Sequence, residues 1–391
     1  MKFNSDGTTY PSELILEDFP DSQLQQLPVS PSSLQQVEVV RKRFLDLTDA
    51  EIALWKSIHA TYPSLSSPYY HPEFTAAVDT VRDDVEVALL KNELDQIVAF
   101  FPFQLNGRCA TPIGGLLNDF HGVIGDPRVK IDLANLCESL DLANFKFHAL
   151  VDPGIFEDYS YRKLDSHYID LSKGFDQYHQ WARIHSSTIK RQPQKTRRLI
   201  KDIGELRFEF DCDDHRVLEK LIQLKRQKYQ RSKTFDILSV EWAANTLREI
   251  FIRSDDNFGG QLSALWAGDE LVAAHFGMAN DQILHYWFPV FDPRFARYSP
   301  GTILMMESCK AAAEQAIHRI DLSYGDDQYK FKFANAASTV HAGFLTFSLL
   351  KKLIQRSRFE TRLMLKKIPL KQQAKSVLRL VFPSFGGWNF R

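Results

Sequence analysis

The chain has 391 residues, 44% of them hydrophobic and 12% aromatic, which is ample for globular folding and longer than one core usually grows. Two domains or two fused halves are expected. Forty-eight basic residues against forty-nine acidic ones give a formal charge of −1, which excludes DNA binding by bulk charge and requires any anion site to be local.

The first stretch, MKFNSDGTTYPSELILEDFP, lacks the apolar core of a signal peptide, and residues 18–36 are rich in Ser, Gln and Pro. Residues 1–36 therefore read as a mobile arm, with order from Val37. Thr48-Asp49-Ala50-Glu51 has the form of a capping box and opens the helix EIALWKSIHA; a second helix, PEFTAAVDTV, follows. VEVALL and IVAFFPFQL are strands joined by a short polar turn. A Gly-rich connection, TPIGGLLNDFHGVIGDP, leads to the helix IDLANLCESL and the strand FKFHALVD. After a basic, helical middle segment, QLSALWA, LVAAHFGM and QILHYWFPV are strands. The helix that starts near Ser299 and the strand IDLSY then repeat the order strand, strand, helix, strand. The expected class is α/β (α+β): tandem units, each a mixed sheet with flanking helices. The expected divisions are 37–165, 166–350 and a basic helical tail over 351–391.

The four cysteines, Cys109, Cys137, Cys212 and Cys309, lie far apart and give no CxxC or Cys/His spacing. A reduced, cytoplasmic chain without a metal is expected. No run reaches the roughly 18 apolar residues of a spanning helix. The tail interleaves Leu353, Phe359, Leu363 and Leu365 with Lys and Arg, a pattern suited either to contact with anionic membrane or to packing on the domain.

One segment, Phe295–Lys330, concentrates candidate chemistry. Ser299 can cap a helix, Pro300 suits its first position, and Gly301 permits close approach to backbone N–H groups that carry the positive end of the helix dipole. Arg297 could pair with a phosphate resting there, although a well-capped helix with no ligand reads equally from the residues. The strand IDLSY must return beside the strand before the helix, so Gly325-Asp326-Asp327-Gln328-Tyr329-Lys330 falls at the carboxyl edge of the sheet, where ligands gather.

FFPFQ, GGLLNDFHGVI, YIDLSKGF, LKRQKYQRS, LVAAHFGM, LHYWFPVFDPRFARYSPG and IDLSYGDDQYK together resemble the CelD-like branch of the GNAT acyltransferase superfamily, which is related to the Fem aminoacyltransferases. The resemblance implies a catalytic second unit with the donor's pyrophosphate on the turn Arg297-Tyr298-Ser299-Gly301-Thr302. That turn departs from the Gln/Arg-x-x-Gly-x-Gly/Ala pattern in having Pro300 and a single glycine. It further implies an acetyl-CoA or other acyl-CoA donor and an amine acceptor, in exopolysaccharide or cell-envelope precursor modification. A charged tRNA as donor, or a binding protein without turnover, stand as alternatives.

Such a transfer needs a base for the ammonium and an acid for the leaving thiolate. Asp326 is the first candidate base and His275 the second. His275 is expected to share a strand face with Leu271, Ala273 and Gly277, where a core histidine is the alternative. Tyr329 is the candidate acid. Lys330, Trp287 and Arg231 are candidate substrate contacts, with Tyr286 and Trp287 on opposite faces of their strand. Arg191, Lys195, Arg197, Arg198 and Lys201, with Lys225, Arg226, Lys228 and Arg231, could frame an entrance for an anionic substrate; a solvated helix face is the alternative.

Overall fold

The computed structural model describes residues 37–129, 131–151, 159–325 and 327–348, together with residues 350, 354 and 357. The expected arm over residues 1–36 and almost all of the tail over 351–391 lie outside these. In the first half the elements are β1 (Glu38–Arg43), α1 (Asp49–Thr61), α2 (Pro72–Asp79), β2 (Val85–Lys91), β3 (Ile97–Asn106), β4 (Cys109–Thr111), β5 (Ile124–Gly125), α3 (Leu133–Ser139) and β6 (Asn144–Leu150). There follow β7 (Ser160–Asp170), α4 (Phe175–His185), α5 (Ser187–Lys190), α6 (Gln192–Asp202), β8 (Leu206–Glu209), α7 (His215–Ser232) and α8 (Glu241–Ile252). The chain continues with β9 (Ser254–Asp255), β10 (Phe258–Ala267), β11 (Glu270–Ala279), β12 (Ile283–Phe291), α9 (Pro300–Glu314), β13 (Arg319–Tyr324), α10 (Lys330–Phe333) and β14 (Ala336–Thr346). At the start of α1 the capping box forms as its residues require: Glu51 N–H donates to Thr48 Oγ1 at 3.3 Å and Thr48 N–H to Glu51 Oε2 at 2.8 Å.

All fourteen strands join one sheet in the order β1-β2-β3-β4-β6-β14-β7-β13-β12-β11-β10-β8, with β5 paired to β3 and β9 to β10. Each half runs through antiparallel neighbours into a parallel pair spanned by a helix. These pairs are β4 and β6 across α3, and β12 and β13 across α9. The strand after each pair then crosses to the other half. β7 pairs with β13, β14 pairs with β6, and β7 and β14 pair with each other. The division expected between residues 165 and 166 thus falls inside β7, and the two halves share a sheet through exchanged strands.

One apolar core runs along one face of the whole sheet. It takes Trp55 from α1, Phe74 and Val78 from α2, Leu218 and Leu221 from α7, and Leu247 and Ile250 from α8. On the opposite face α3 packs in the first half, while α4, α6 and α9 pack in the second. α9 is buried more broadly than the single stripe expected from its sequence: Ile303, Leu304, Met305, Met306, Cys309 and Ala312 are all inside, because it lies between the sheet and two other helices.

Two irregularities shape β11. Leu265 pairs with Ala273 but Trp266 with Leu271, so Val272 is an extra residue and turns Leu271 and Ala273 to different cores. The face expected for His275 is corrected accordingly: it goes with Ala273, not with Leu271. Further on, Phe276 pairs with Phe288 and Met278 with His285, so Tyr286 and Trp287 together oppose Gly277. A Cβ on Gly277 would lie 1.9 Å from the His285 carbonyl oxygen. Gly277→Ala is therefore expected to lower unfolding stability by more than ~2 kcal/mol. Gly259→Ala, where a Cβ meets nothing within 4 Å, should be neutral or slightly stabilising. Urea midpoints of the two variants check the contrast.

Candidate active site

β12 and β13 pair only at Ile283↔Arg319, Leu284↔Ile320 and His285↔Asp321, and then part. β12 stays with β11, while β13 stays with β7, to which it is paired from Arg319↔Asp170 on to Tyr324↔Ser166. The bulge at Gly277 acts on one side of this fork. On the other side Ser323 takes a left-handed backbone, φ 68°, and Gly325 follows at φ 111°. A left-handed serine within a strand breaks the alternation and re-aims the next residue, Tyr324. The first half carries a counterpart in β6, where Ala149 has φ 54°.

Past the fork, one edge of β12 has no strand partner, and Pro289 sits there. Proline is tolerated inside a sheet only where its missing N–H faces an unpaired edge, and in an antiparallel strand the carbonyl of the same residue faces that edge too. Lys225 of α7 takes this carbonyl, its Nζ donating to Pro289 O at 3.1 Å. The lysine is 7% exposed and lies over the rings of Tyr229 and Phe288, at 5.7 and 5.4 Å from their centroids. Burial pushes its ammonium down to about 7; Lys228 adds to the shift and Asp327 opposes it.

The first half reaches into the same place. Asp119 belongs to a loop fastened to the end of β6: His121 N–H donates to Ala149 O at 3.1 Å, Val151 N–H donates to His121 O at 2.9 Å, and His148 Nε2 lies 2.9 Å from Asn118 O. Asp119 Oδ2 is 3.1 Å from His285 Nε2, and Tyr69 Oη is 3.0 Å from the same nitrogen. Tyr69 gives its proton to Leu117 O at 2.9 Å. Its oxygen can therefore only accept from His285, which places the imidazole proton on Nε2, shared between Asp119 and Tyr69. At the fork itself Asp321 is buried and receives Arg319 Nε at 2.6 Å.

Four phenols surround this group with their protons held on. Burial raises Tyr69, Tyr324, Tyr329 and Tyr229, and the Asp119 charge adds to the shift of each. For Tyr329 and Tyr229 the other carboxylates, Asp327 and Asp236 respectively, act more strongly than Asp119. Lys330 is also buried, its Nζ donating to Tyr324 O at 2.5 Å and standing 3.8 Å from Asp327.

The sequence-derived candidates divide accordingly. Tyr329, Lys330 and Trp287 come together around the fork, with Trp287 edge-on to Tyr69 at 5.9 Å. Asp326 lies outside the described residues. His275 is fully buried on the α9 side of the sheet, flat against Tyr286 at 3.9 Å, and burial and its neighbours His285 and Lys225 hold its basicity down. It does not reach the fork. Arg231 is exposed in the last turn of α7. The two basic groups expected to frame one entrance lie on opposite faces of the sheet: α6 packs on the α9 side and α7 on the other.

The turn before α9 is tied to α6. Tyr298 is buried and donates to Asp202 Oδ2 at 2.8 Å, Arg297 lies over its ring at 4.6 Å, and Lys195 Nζ donates to the Arg297 carbonyl at 2.5 Å. Ser299, expected to cap the helix by its side chain, instead takes a left-handed backbone and makes no side-chain cap. Its carbonyl accepts from Thr302 and Ile303 N–H, which leaves the Gly301 N–H as the outward donor of the first turn. A Cβ at Gly301 would meet only Phe291, at 3.6 Å, so the approach is open.

The sequence does not single out Asp119, Tyr69, His285 and Tyr324 as site residues, and it offers Lys225 only as one of a basic group at an entrance. Two signals were present: Pro289 inside an apolar strand, and Lys225 on the same helical stripe as Leu218, Leu221 and Ile222. Among the described residues no group of three or more His, Cys, Asp or Glu is placed to hold a metal, and no helix is long and apolar enough to cross a membrane.

The family model of the acetyltransferase (GNAT) domain matches residues 186–331. Over that span the chain is similar to GNAT acetyltransferase domains. The span contains the fork, α7 and α9, whereas Asp119 and Tyr69 come from outside it. FemX has the same overall fold as this chain, at 11% identity over 81% of this chain and 99% of that one, with a TM-score of 0.51. The chain is also similar to L-PGS from Bacillus licheniformis (11% identity, 78% and 96% covered, TM-score 0.47). A tandem GNAT protein from the clavulanic acid biosynthesis pathway gives 9%, 79% and 98%, with a TM-score of 0.45. No curated protein sequence matched.

The Lys225 shift carries a sign for stability. With a folded value near 7 and an ordinary value of 10.5, the unfolded chain binds more protons between those limits, so this group's contribution to stability rises with pH across them. Lys225→Met is expected to melt at a higher temperature than the parent at and below pH 7. The gain should shrink as pH rises toward 10, which paired thermal melts across pH would check.

Proposed function

We propose that the GNAT domain transfers an acyl group from a coenzyme A-type thioester to an amine at the fork between β12 and β13. The observation that carries the reading is the open edge of β12, lying between the start of α9 and a cluster of one carboxylate, one imidazole and several protonated phenols. The donor's phosphates rest at Gly301 beside Arg297 and the basic face of α6, and its thioester arm follows the open edge. The amine approaches from the α7 side. Its nitrogen attacks the thioester carbonyl, the amine proton passes to Asp119, the C–S bond breaks, and the sulfur leaves as a thiolate that accepts a hydrogen bond from Tyr329 or Tyr324, while Asp119 returns its proton to solvent. Asp326, which follows Gly325 in sequence, is the second carboxylate to test as base. Following the CelD-like resemblance, the acceptor is an amino group of a sugar or other envelope precursor, modified in the cytoplasm.

Free thiol release from acetyl-CoA, with a panel of amines, tests the reading. Asp119→Asn keeps the shape of the site and removes the base, and should reduce turnover by ~10²–10⁴-fold while leaving coenzyme A affinity nearly unchanged. If Asp119→Asn turns over like the parent and Asp326→Asn does not, the base is Asp326. Gly301→Asp places a carboxylate where phosphate approaches, and should weaken coenzyme A binding by at least ~1–2 kcal/mol in a folded protein. A folded variant with unchanged affinity would remove the phosphate seat. The exposed basic residues Arg191, just before α6, and Arg197, Arg198 and Lys201 of α6, beside the same turn, favour a second reading, a charged tRNA as donor. Retention of tRNA rather than coenzyme A by the purified protein would select it.

A further inference from the structure

We infer that Lys225 holds an anionic group, a carboxylate or a phosphate, on the substrate that enters from the α7 face, so that the acceptor is an amine which also carries an acid. The inference rests on the proposed function only for the assignment of that face to the acceptor.

A buried ammonium is ordinarily ion-paired, because desolvation is not offset by one neutral partner. Lys225 makes a single hydrogen bond among the described residues, to the Pro289 carbonyl, so two of its three protons have no hydrogen-bond acceptor and only the rings of Tyr229 and Phe288 beside them. Among the described residues the charged and titratable groups around it are few. Lys228 is a like charge on the same helix, and His275 is held neutral on the far side of β12. Asp327 acts on Lys225, but its side chain is 71% exposed and it also faces Lys330 at 3.8 Å. Asp119 is engaged with His285, Asp236 receives Arg226 at 3.2 Å, and Asp321 receives Arg319. Among the described residues Lys225 therefore has no buried carboxylate as a partner, in a site of low polarity. A carboxylate or phosphate entering there would accept from Lys225 and offset its burial.

The donor does not supply that anion at this point. Its phosphate seat is at the start of α9, which packs on the opposite face of the sheet from α7. An acceptor whose acid lies on Lys225 would instead present its amine toward Asp119 at the fork, so the lysine fixes which amine is offered.

The test needs neither the natural acceptor nor turnover. Thermal midpoints of the full chain are measured in chloride, in acetate and in inorganic phosphate at equal ionic strength and pH 6.5, for the parent, Lys225→Met and Lys225→Arg. Acetate or phosphate should raise the parent's midpoint by at least about 2 °C over chloride, Lys225→Arg should keep part of the response, and Lys225→Met should lose it. The anion giving the larger rise identifies carboxylate or phosphate as the class. Equal midpoints of the parent in all three salts, or a response undiminished in Lys225→Met, overturns the inference. Coenzyme A affinity is measured alongside. It should agree within about twofold between the parent and Lys225→Met, and a tenfold loss, about 1.4 kcal/mol, would overturn the assignment to the acceptor. Absence of coenzyme A binding in the parent would instead count against the donor reading and leave the anion result to stand alone.

Discussion

Three residue pairs hold β12 and β13 together, and the site depends on where that pairing stops. A sheet interior normally satisfies every backbone donor and acceptor, so an edge opened within it must be built. Here the bulge opposite Gly277 bends β12 away, while β13 stays on β7 past the left-handed Ser323. Pro289 then lies on the open edge without a donor to satisfy, and its carbonyl is covered by Lys225. Backbone strain, a small residue where no Cβ fits, and a proline where no partner is available converge on one cleft. That concentration of exceptions is expected at a site rather than in a scaffold.

The exchange of β7 and β14 explains how a residue so distant in sequence can act there. Each half contributes a strand to the other's parallel pair, so the two halves cannot slide without breaking the pairing of β7, β13, β14 and β6 together. The continuous core on the α1, α2, α7 and α8 face reinforces this. On that rigid base the loop bearing Asp119 is fixed by two backbone hydrogen bonds to the end of β6, and its carboxylate meets His285 across 166 residues of sequence. The charge of Asp119 and burial together keep the surrounding phenols protonated, which suits them to receive negative charge developing on sulfur or oxygen.

The order of strands and helices was legible because it depends on local pattern. The Thr48–Glu51 cap, the alternation of β2 and β3, and the strand, turn and helix around Ser299 all follow from neighbours within a few residues. What depends on distant packing was not legible. The face of His275 shifts with one extra residue at Val272, which no periodicity announces. Ser299 looked like a side-chain cap, yet it serves through its carbonyl because its left-handed backbone aims that group at Thr302 and Ile303. Asp119 carried no local signal, since its role is assigned by the strand exchange. Lys225 is legible in part: the sequence puts it in a basic group at an entrance, and its place on the apolar stripe of α7 is what separates it from the exposed members of that group.

The central claim is that a thioester donor lies along the open edge of β12 with its phosphates at the start of α9. Amide hydrogen exchange of the full chain, with and without saturating coenzyme A, tests it most directly. The account predicts added protection in β12 beyond the fork, at Trp287–Phe291, and at Gly301 and Thr302, with β2 and β3 of the first half unchanged. Bound coenzyme A that protects other segments and leaves the β12 edge and the start of α9 exchanging as before would contradict it.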